Sequence, residues 1–257
     1  MMLQPGCRFV TAPQFQPAAD WPQRLLVGAG VDAVDGVFRP RPAWRPPTAD
    51  ELQALLPTAE PAPSVSLFQL PRHLRSAWWD LLAAGGAAPD AGVLPGFDAF
   101  VHQVGEFLTF KGLPIPAAAR CAVVVTAPAQ SCVSWGLPAH PGGGLGCTLP
   151  PETPWPTPSS AGRLWGGINL GDEATSLVLV NLAGAQLAAA LPQAPATVGA
   201  AASGFLQACP CYPLVRLTLH PGEGCRLPSE MLILGGCLEG KQEPDAVLLV
   251  AAPGQSR

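Results

Sequence analysis

Leu214–Gly236 reads LVRLTLHPGEGCRLPSEMLILGG. Val215, Leu217 and Leu219 alternate with Arg216, Thr218 and His220, the period-two pattern of a strand with one apolar and one polar face. His220-Pro-Gly222-Glu223 has the chemistry of a tight turn. A short strand follows, Pro228 marks a second turn, and Met231–Leu234 begins a third strand. Short strands joined by Gly/Pro turns suit two facing antiparallel sheets. The use of Arg216 depends on which face is buried. If Val215, Leu217 and Leu219 pack between the sheets, Arg216 is outside and solvated, the common case for an antiparallel sheet. If the polar face lines the interior, Arg216 and His220 form a cationic wall suited to a carboxylate. An Arg buried without a partner costs several kcal/mol, so a buried Arg216 must pair with a carboxylate of the protein or of a ligand.

The same texture extends outward. Cys121–Thr126, Ser131–Trp135, Leu164–Leu170, Ser176–Leu182, Val215–Leu219, Met231–Leu234 and Ala246–Ala251 are short apolar runs between Gly/Pro turns, as in a barrel or sandwich. Pro138–Ala161 reads as a long loop, and Gln186–Ala208 as part helix, part loop. Upstream the periodicity is helical. Phe97, Phe100, Val101, Val104, Phe107 and Leu108 form a stripe that predicts a helix over Phe97–Phe110, with His102, Gln103 and Glu106 on its other side. Pro71–Ala84 predicts a second helix, and Val65–Leu70 a strand. Thr48-Ala-Asp-Glu51 has the form of a capping box opening a helix that stops at Pro57. Residues 1–47 are Pro-rich and predicted irregular, with short strands at Leu25–Val27 and Val34–Phe38 around an Asp35-Gly36 turn. The expected fold class is α+β: a C-terminal antiparallel jelly-roll-like barrel with N-terminal helices packed on it. The expected organisation is one domain over 1–257, with an irregular part (1–47), a helical part (48–115) and a β-rich part (116–257).

Composition narrows the classes of function. Charged residues make up 12% of the 257, about half the usual share. Only Lys111 and Lys241 are lysines, and the net charge is −4. Arg39-Pro-Arg41 with Arg45 is too short to track phosphates, so no nucleic-acid partner is expected. No uninterrupted apolar run reaches roughly 18 residues, and the N-terminus lacks a signal-like apolar core, so no membrane partner and a cytoplasmic location are expected. The eight cysteines are then expected to be reduced, most of them as small buried apolar residues.

Several motifs invite chemistry. Gly28-Ala-Gly30-Val-Asp-Ala33 has the letters of a dinucleotide fingerprint, but Asp35-Gly36 and Pro40 leave no room for the helix that would hold pyrophosphate, so a turn between strands is expected. Cys209-Pro-Cys211 with Cys225 and Cys237 could supply four thiolates, but its gap is shorter than zinc knuckles use. His140 and His220 each precede Pro-Gly, and Glu223 is near His220. In Trp165–Asn181, polar residues end one strand before an apolar strand begins, so Asn169 and Asp172 either form a hairpin turn or point into a barrel mouth.

These two regions together resemble the cupin and 2-oxoglutarate/Fe(II) oxygenase superfamily of double-stranded β-helices, over roughly residues 120–251. Leu217–Pro228 is similar to the strand, Pro-Gly turn, strand, Pro segment of jumonji-type and cupin proteins. The resemblance implies a H-x-D/E pair where Asn169-Leu-Gly171 stands and a distal His near Met231–Leu232. Those ligands are replaced, and Lys241 is a candidate remnant of a basic residue for an oxoglutarate carboxylate. A facial triad needs two His and a carboxylate, so no metal and no cofactor is expected.

The leading expectation is therefore a non-metal, jelly-roll-like protein that binds a small molecule or a partner protein. Its ligand-binding candidates are Asn169, Asp172, Arg216, His220 and Glu223. Two alternatives are an atypical oxygenase-like or cupin-like enzyme using the same residues, and a structural or assembly subunit with Trp21, Trp44 and Trp155 as exposed contact anchors; a second copy of the chain, in a homo-oligomer, is a candidate partner.

Overall fold

The computed structural model describes residues 2–12, 20–34, 37–41, 43–58, 62–85, 95–115, 119–126, 132–134, 164–182, 184–193, 204–228, 231–237, 239–243 and 245–251. In chain order the elements are β1 (Arg8–Thr11), α1 (Trp21–Arg24), β2 (Leu25–Gly28), β3 (Val31–Val34), β4 (Val37–Pro40), α2 (Ala49–Leu55), β5 (Ser64–Gln69), α3 (Arg72–Gly85) and α4 (Phe97–Phe110). They continue with β6 (Arg120–Thr126), β7 (Cys132–Ser134), β8 (Leu164–Asn169), β9 (Thr175–Val180), α5 (Gly184–Ala189), β10 (Leu214–Leu219), β11 (Glu223–Arg226), β12 (Leu232–Cys237) and β13 (Asp245–Ala251). The class is α+β.

One sheet has six strands in the order β1-β5-β11-β8-β13-β6, and a second has five in the order β2-β10-β9-β12-β7. Every pairing in them is antiparallel except β1 with β5. From β6 onward the chain changes sheet at almost every turn. β6, β8, β11 and β13 lie in the first sheet, and β7, β9, β10 and β12 in the second. Among the described residues the two sheets share no strand, so the expected barrel is realised as two separate sheets.

Alternation explains the layers. Val65 and Leu67 of β5, Cys225 of β11 and Val247 and Leu249 of β13 meet Leu177 and Leu179 of β9 and Val215, Leu217 and Leu219 of β10 in one buried cluster between the sheets. The intervening residues Phe68, Ile168, Leu248 and Val250 form the opposite face of the six-stranded sheet, where α3 and α4 cover them. Leu74, Trp78, Phe97, Phe100, Val104 and Leu108 are the helices' side of that layer, and full burial of each large side chain is worth about 2 kcal/mol. Val178, Val180 and Leu214 make the outer face of the five-stranded sheet, beneath Leu187, Phe205 and Tyr212. All six residues of β9 are buried, which is why its apolar run is nearly continuous rather than alternating.

The start of α2 follows from local chemistry. The Glu51 amide donates to Thr48 Oγ1 at 3.3 Å and the Thr48 amide donates to Glu51 Oε2 at 2.8 Å, a complete capping box. α4 spans Phe97–Phe110 as the stripe predicts, and its far side carries the exposed His102–Glu106 pair. Gly184–Ala189 and a helical stretch at 204–208 are the helical parts of the Ala-rich segment.

Within the first 47 residues β2 falls on the strand expected at Leu25–Val27, whereas β1 stands where an irregular stretch was expected. They are not an irregular appendage: β1 extends the six-stranded sheet through β5, and β2 extends the five-stranded sheet through β10. β3 and β4 pair as a hairpin, the expected turn at Asp35-Gly36 lying outside the described residues, and Gly28–Gly30 turns between β2 and β3, as the absence of a following helix required. Four-residue strands whose pairing partners lie far along the chain leave little periodicity to read. Trp21 and Trp44 are also not exposed anchors. Each is partly buried, Trp21 against the inter-sheet core and Phe9, and Trp44 against the outer layer of the five-stranded sheet. Pro138–Ala161, His140 and Trp155 lie outside the described residues. No helix among the described residues is long and apolar enough to cross a membrane.

Candidate functional site

The register puts the β8–β9, β10–β11 and β12–β13 connections at one end of the two sheets: Val247 faces Asn169, Leu219 faces Thr175, and Gly224 faces Ile168. Four of the five candidate residues are in or border two of those connections: Asn169 ends β8, Asp172 follows it, His220 follows β10 and Glu223 begins β11. The His220–Glu223 turn closes with the Glu223 amide donating to the His220 carbonyl at 2.9 Å. Gly222 has φ +80, the left-handed region that favours glycine, and a Cβ there would press on the Arg75 side chain at 2.3 Å.

Asn169 is fully buried and is the knot of this end. Its Nδ2 donates to the Leu219 carbonyl at 2.9 Å and the Glu173 carbonyl at 2.8 Å, while its Oδ1 accepts from the Gly171 amide at 2.9 Å. Its own carbonyl accepts from the Gly222 amide at 2.8 Å. Both amide protons and the amide oxygen are thus used to hold two loops together. Asp172 is exposed on the loop that Asn169 organises, and the His220 side chain is exposed beside the turn.

Glu223 also has an internal role. Its Oε2 accepts from the His220 amide at 2.7 Å and pairs with the Arg24 guanidinium. Arg24 Nε donates to Asp20 Oδ1 at 2.7 Å. Desolvation alone would lower the Arg24 pKa, but hydrogen bonds to Glu223 and Asp20 outweigh it and raise it above the usual value. The Arg24 hydrogen bond holds the Asp20 carboxyl below its usual range. Arg24 and Glu223 are 199 residues apart, so no local pattern announces the pair.

A second buried cluster was not anticipated from the sequence. Thr175 Oγ1 donates to Asp245 Oδ2 at 2.7 Å, and the Lys241 ammonium pairs with Asp245 Oδ1. Lys241 is 8% exposed and Asp245 1%. The i,i+4 spacing of Lys241 and Asp245 was no signal, because residues 241–243 are not helical and Asp245 opens a strand. Beside them Glu173 Oε2 accepts from the Gln242 and Glu243 amides at 3.0 and 3.2 Å, which hold its carboxyl below the usual range. Lys241 therefore has a carboxylate partner within the protein.

Arg216 does not join the other candidates. Val215, Leu217 and Leu219 pack between the sheets, so Arg216 projects from the outer face of the five-stranded sheet, with the apolar core between it and the six-stranded sheet that carries Asn169. Nor is it solvated: its side chain is 17% exposed. Its Nε donates to Ser176 Oγ at 3.0 Å, its guanidinium carbon lies 5.9 Å from the Trp44 ring centroid, and its Nη1 is 3.6 Å from Glu239 Oε2. Polar-out here means outside the inter-sheet core but inside a second layer, because Trp44 covers the strand.

The groups that the resemblance would require do not fit these residues. The Asn169 amide is saturated, Gly171 has no side chain, and Lys241 is paired. Among the described residues no three His, Cys, Asp or Glu side chains gather to hold a metal ion. Cys225 lies in the inter-sheet core, whereas Cys209 and Cys237 belong to the layer outside the five-stranded sheet, so the possible thiolate quartet is split.

No known family profile and no solved structure matches the chain. A stretch of 115 residues is 33% identical to phosphinothricin tripeptide synthetase PhsC of Streptomyces viridochromogenes, covering 42% of this chain and 10% of that protein.

Proposed function

We propose that this chain is a non-metal, jelly-roll-like binding protein of the double-stranded β-helix type, whose ligand is a small molecule or a partner protein. The strand order carries this reading. β6 to β13 pair as β6-β13-β8-β11 in one sheet and β7-β12-β9-β10 in the other, the interleaving expected when an eight-stranded ribbon is wound into a jelly roll. Binding without a metal is supported by the residues at the ligand positions, where Asn169 is spent on two loops and Lys241 on Asp245. The similarity to a segment of a tripeptide synthetase supports looking for the ligand among amino acids, short peptides and the proteins that assemble them.

The alternatives are less well supported. An enzyme site built from Asn169, Asp172, Arg216, His220 and Glu223 would need Arg216 to cross the core that separates it from Asn169. An assembly role anchored by Trp21 and Trp44 would need side chains that are packed within the chain.

The test is a thermal-shift series on the purified chain. One arm adds Mn(II) or anaerobic Fe(II) with 2-oxoglutarate, and the other adds amino acids and short peptides at millimolar concentration. The reading expects no shift that depends on the metal, judged against 2-oxoglutarate alone, and a saturable rise with a member of the second arm, since a ligand at 100 times its Kd stabilises by about 2.7 kcal/mol. Stoichiometric metal binding that depends on 2-oxoglutarate would replace it with the oxygenase-like reading.

A further inference from the structure

The geometry points to a carboxylate-binding site on the outer face of the five-stranded sheet, formed by Arg216, Trp44 and Ser176 and occupied in this structure by the protein's own Glu239. The inference rests on the binding-protein reading above and names the ligand chemistry and the surface.

Arg216 is fixed on two of its three sides. Ser176 Oγ accepts from Nε at 3.0 Å, and the Trp44 ring lies against the guanidinium at 5.9 Å, within cation–π range. Trp44 is itself fixed: a Cβ at Gly28 would come within 2.8 Å of its ring, so that glycine lets the indole seat on the strand. The remaining Nη edge is the part of a guanidinium that takes a carboxylate in a two-pronged fashion.

Glu239 meets that edge poorly. Its Oε2 is 3.6 Å from Nη1, too far for a hydrogen bond, and its side chain is 42% exposed against 17% for Arg216. A mostly buried cation is therefore neutralised by a charge contact that leaves hydrogen-bonding capacity unused. Neither Arg216 Nη is among the buried side-chain atoms that lack a partner, so this edge is open to water and to a ligand. Glu239 lies just beyond the end of β12, where the Cys237 thiol also approaches its Oε2 at 3.9 Å, so a ligand carboxylate displaces two long contacts. A ligand carboxylate that displaces it gains the hydrogen bonds it does not make. The same edge accepts the carboxylate of a small free acid or that of a peptide terminus.

Calorimetric titrations decide between these and test the site. The full chain, Glu239→Gln and Arg216→Gln are titrated at constant ionic strength with succinate, with tri-alanine and with tri-alanine amide. The expected result is binding of a carboxylate but not of the amide, tightened roughly threefold to tenfold in Glu239→Gln, where the internal competitor is gone, and lost in Arg216→Gln. Binding of succinate alone assigns small acids; binding of tri-alanine assigns a chain terminus. Equal affinity in the unmodified chain and Glu239→Gln, or no carboxylate binding by either, overturns the site. Circular dichroism checks the fold of Arg216→Gln, and if that variant is unfolded the Glu239→Gln comparison decides alone. A ligand from the thermal-shift series that stabilises folded Arg216→Gln as much as the unmodified chain sinks this site and leaves the binding-protein reading standing.

Discussion

The Arg24 guanidinium pairs with the Glu223 carboxylate, joining the four-residue helix α1 to the β10–β11 turn across 199 residues of sequence. Arg24 is 9% exposed and Glu223 14% in their side chains, and Asp20 completes the chain of charges. α1 is too short to hold itself together, so its position depends on this pair and on Trp21 packing beside Phe9.

Replacing Glu223 with Gln should therefore destabilise the protein by about 2 kcal/mol, because a largely buried guanidinium loses its charged partner while Asp20 remains. The urea midpoint of the variant measures it. A cost below about 0.5 kcal/mol would mean that the pair is a surface contact of the ordinary kind.

Asn169→Leu should cost about 3 kcal/mol, since it strands two carbonyls and an amide in a buried loop crossing. The informative comparison is with ligand affinity. A residue that only organises loops changes the unfolding midpoint and leaves the dissociation constant of any ligand unaltered at temperatures where the variant is folded. A large loss of affinity without a loss of stability would restore Asn169 as a binding group.

Thiol reactivity should separate the cysteines by layer. None of the six whose side chains are described is in a disulfide, and Cys211 is the exposed one. Cys225 is enclosed between the sheets, and burial pushes its thiol up to about 12. With an aromatic disulfide reagent at pH 8, Cys211 should be labelled in the native protein and Cys225 only on unfolding. Mass spectrometry of peptides from a short labelling pulse identifies the sites, and early labelling at Cys225 would show that the inter-sheet core opens readily.

Much of the framework was visible in the residues because it rests on local rules. The stripe of α4, the Thr48–Glu51 box and the Pro-Gly turn at 221–222 each depend on neighbours a few positions apart. β1 and α1 were not visible, because four-residue elements carry almost no periodicity and exist through partners far along the chain. The candidate residues were legible as polar groups at strand ends, but not in their roles. Whether Asn169 points into a mouth or into a loop crossing depends on where Leu219 and Glu173 put their carbonyls. Arg216 shows the same limit. Its alternation set it opposite Val215, Leu217 and Leu219 but left open which face is buried, and nothing between Leu214 and Leu219 reveals that Trp44, from a distant segment, would lie over it.

The division of the first strands between the two sheets has a consequence for synthesis. β1 can pair with β5 once residue 67 has been made, but Leu25 and Val27 of β2 find their neighbours in β10 only when residue 217 has left the ribosome. Between the synthesis of β2 and that of β10 an apolar strand has no sheet to join. Pairings so remote in sequence form slowly and leave sticky edges exposed in the meantime. A growing chain of this design gains from being held apart from its neighbours until β10 arrives.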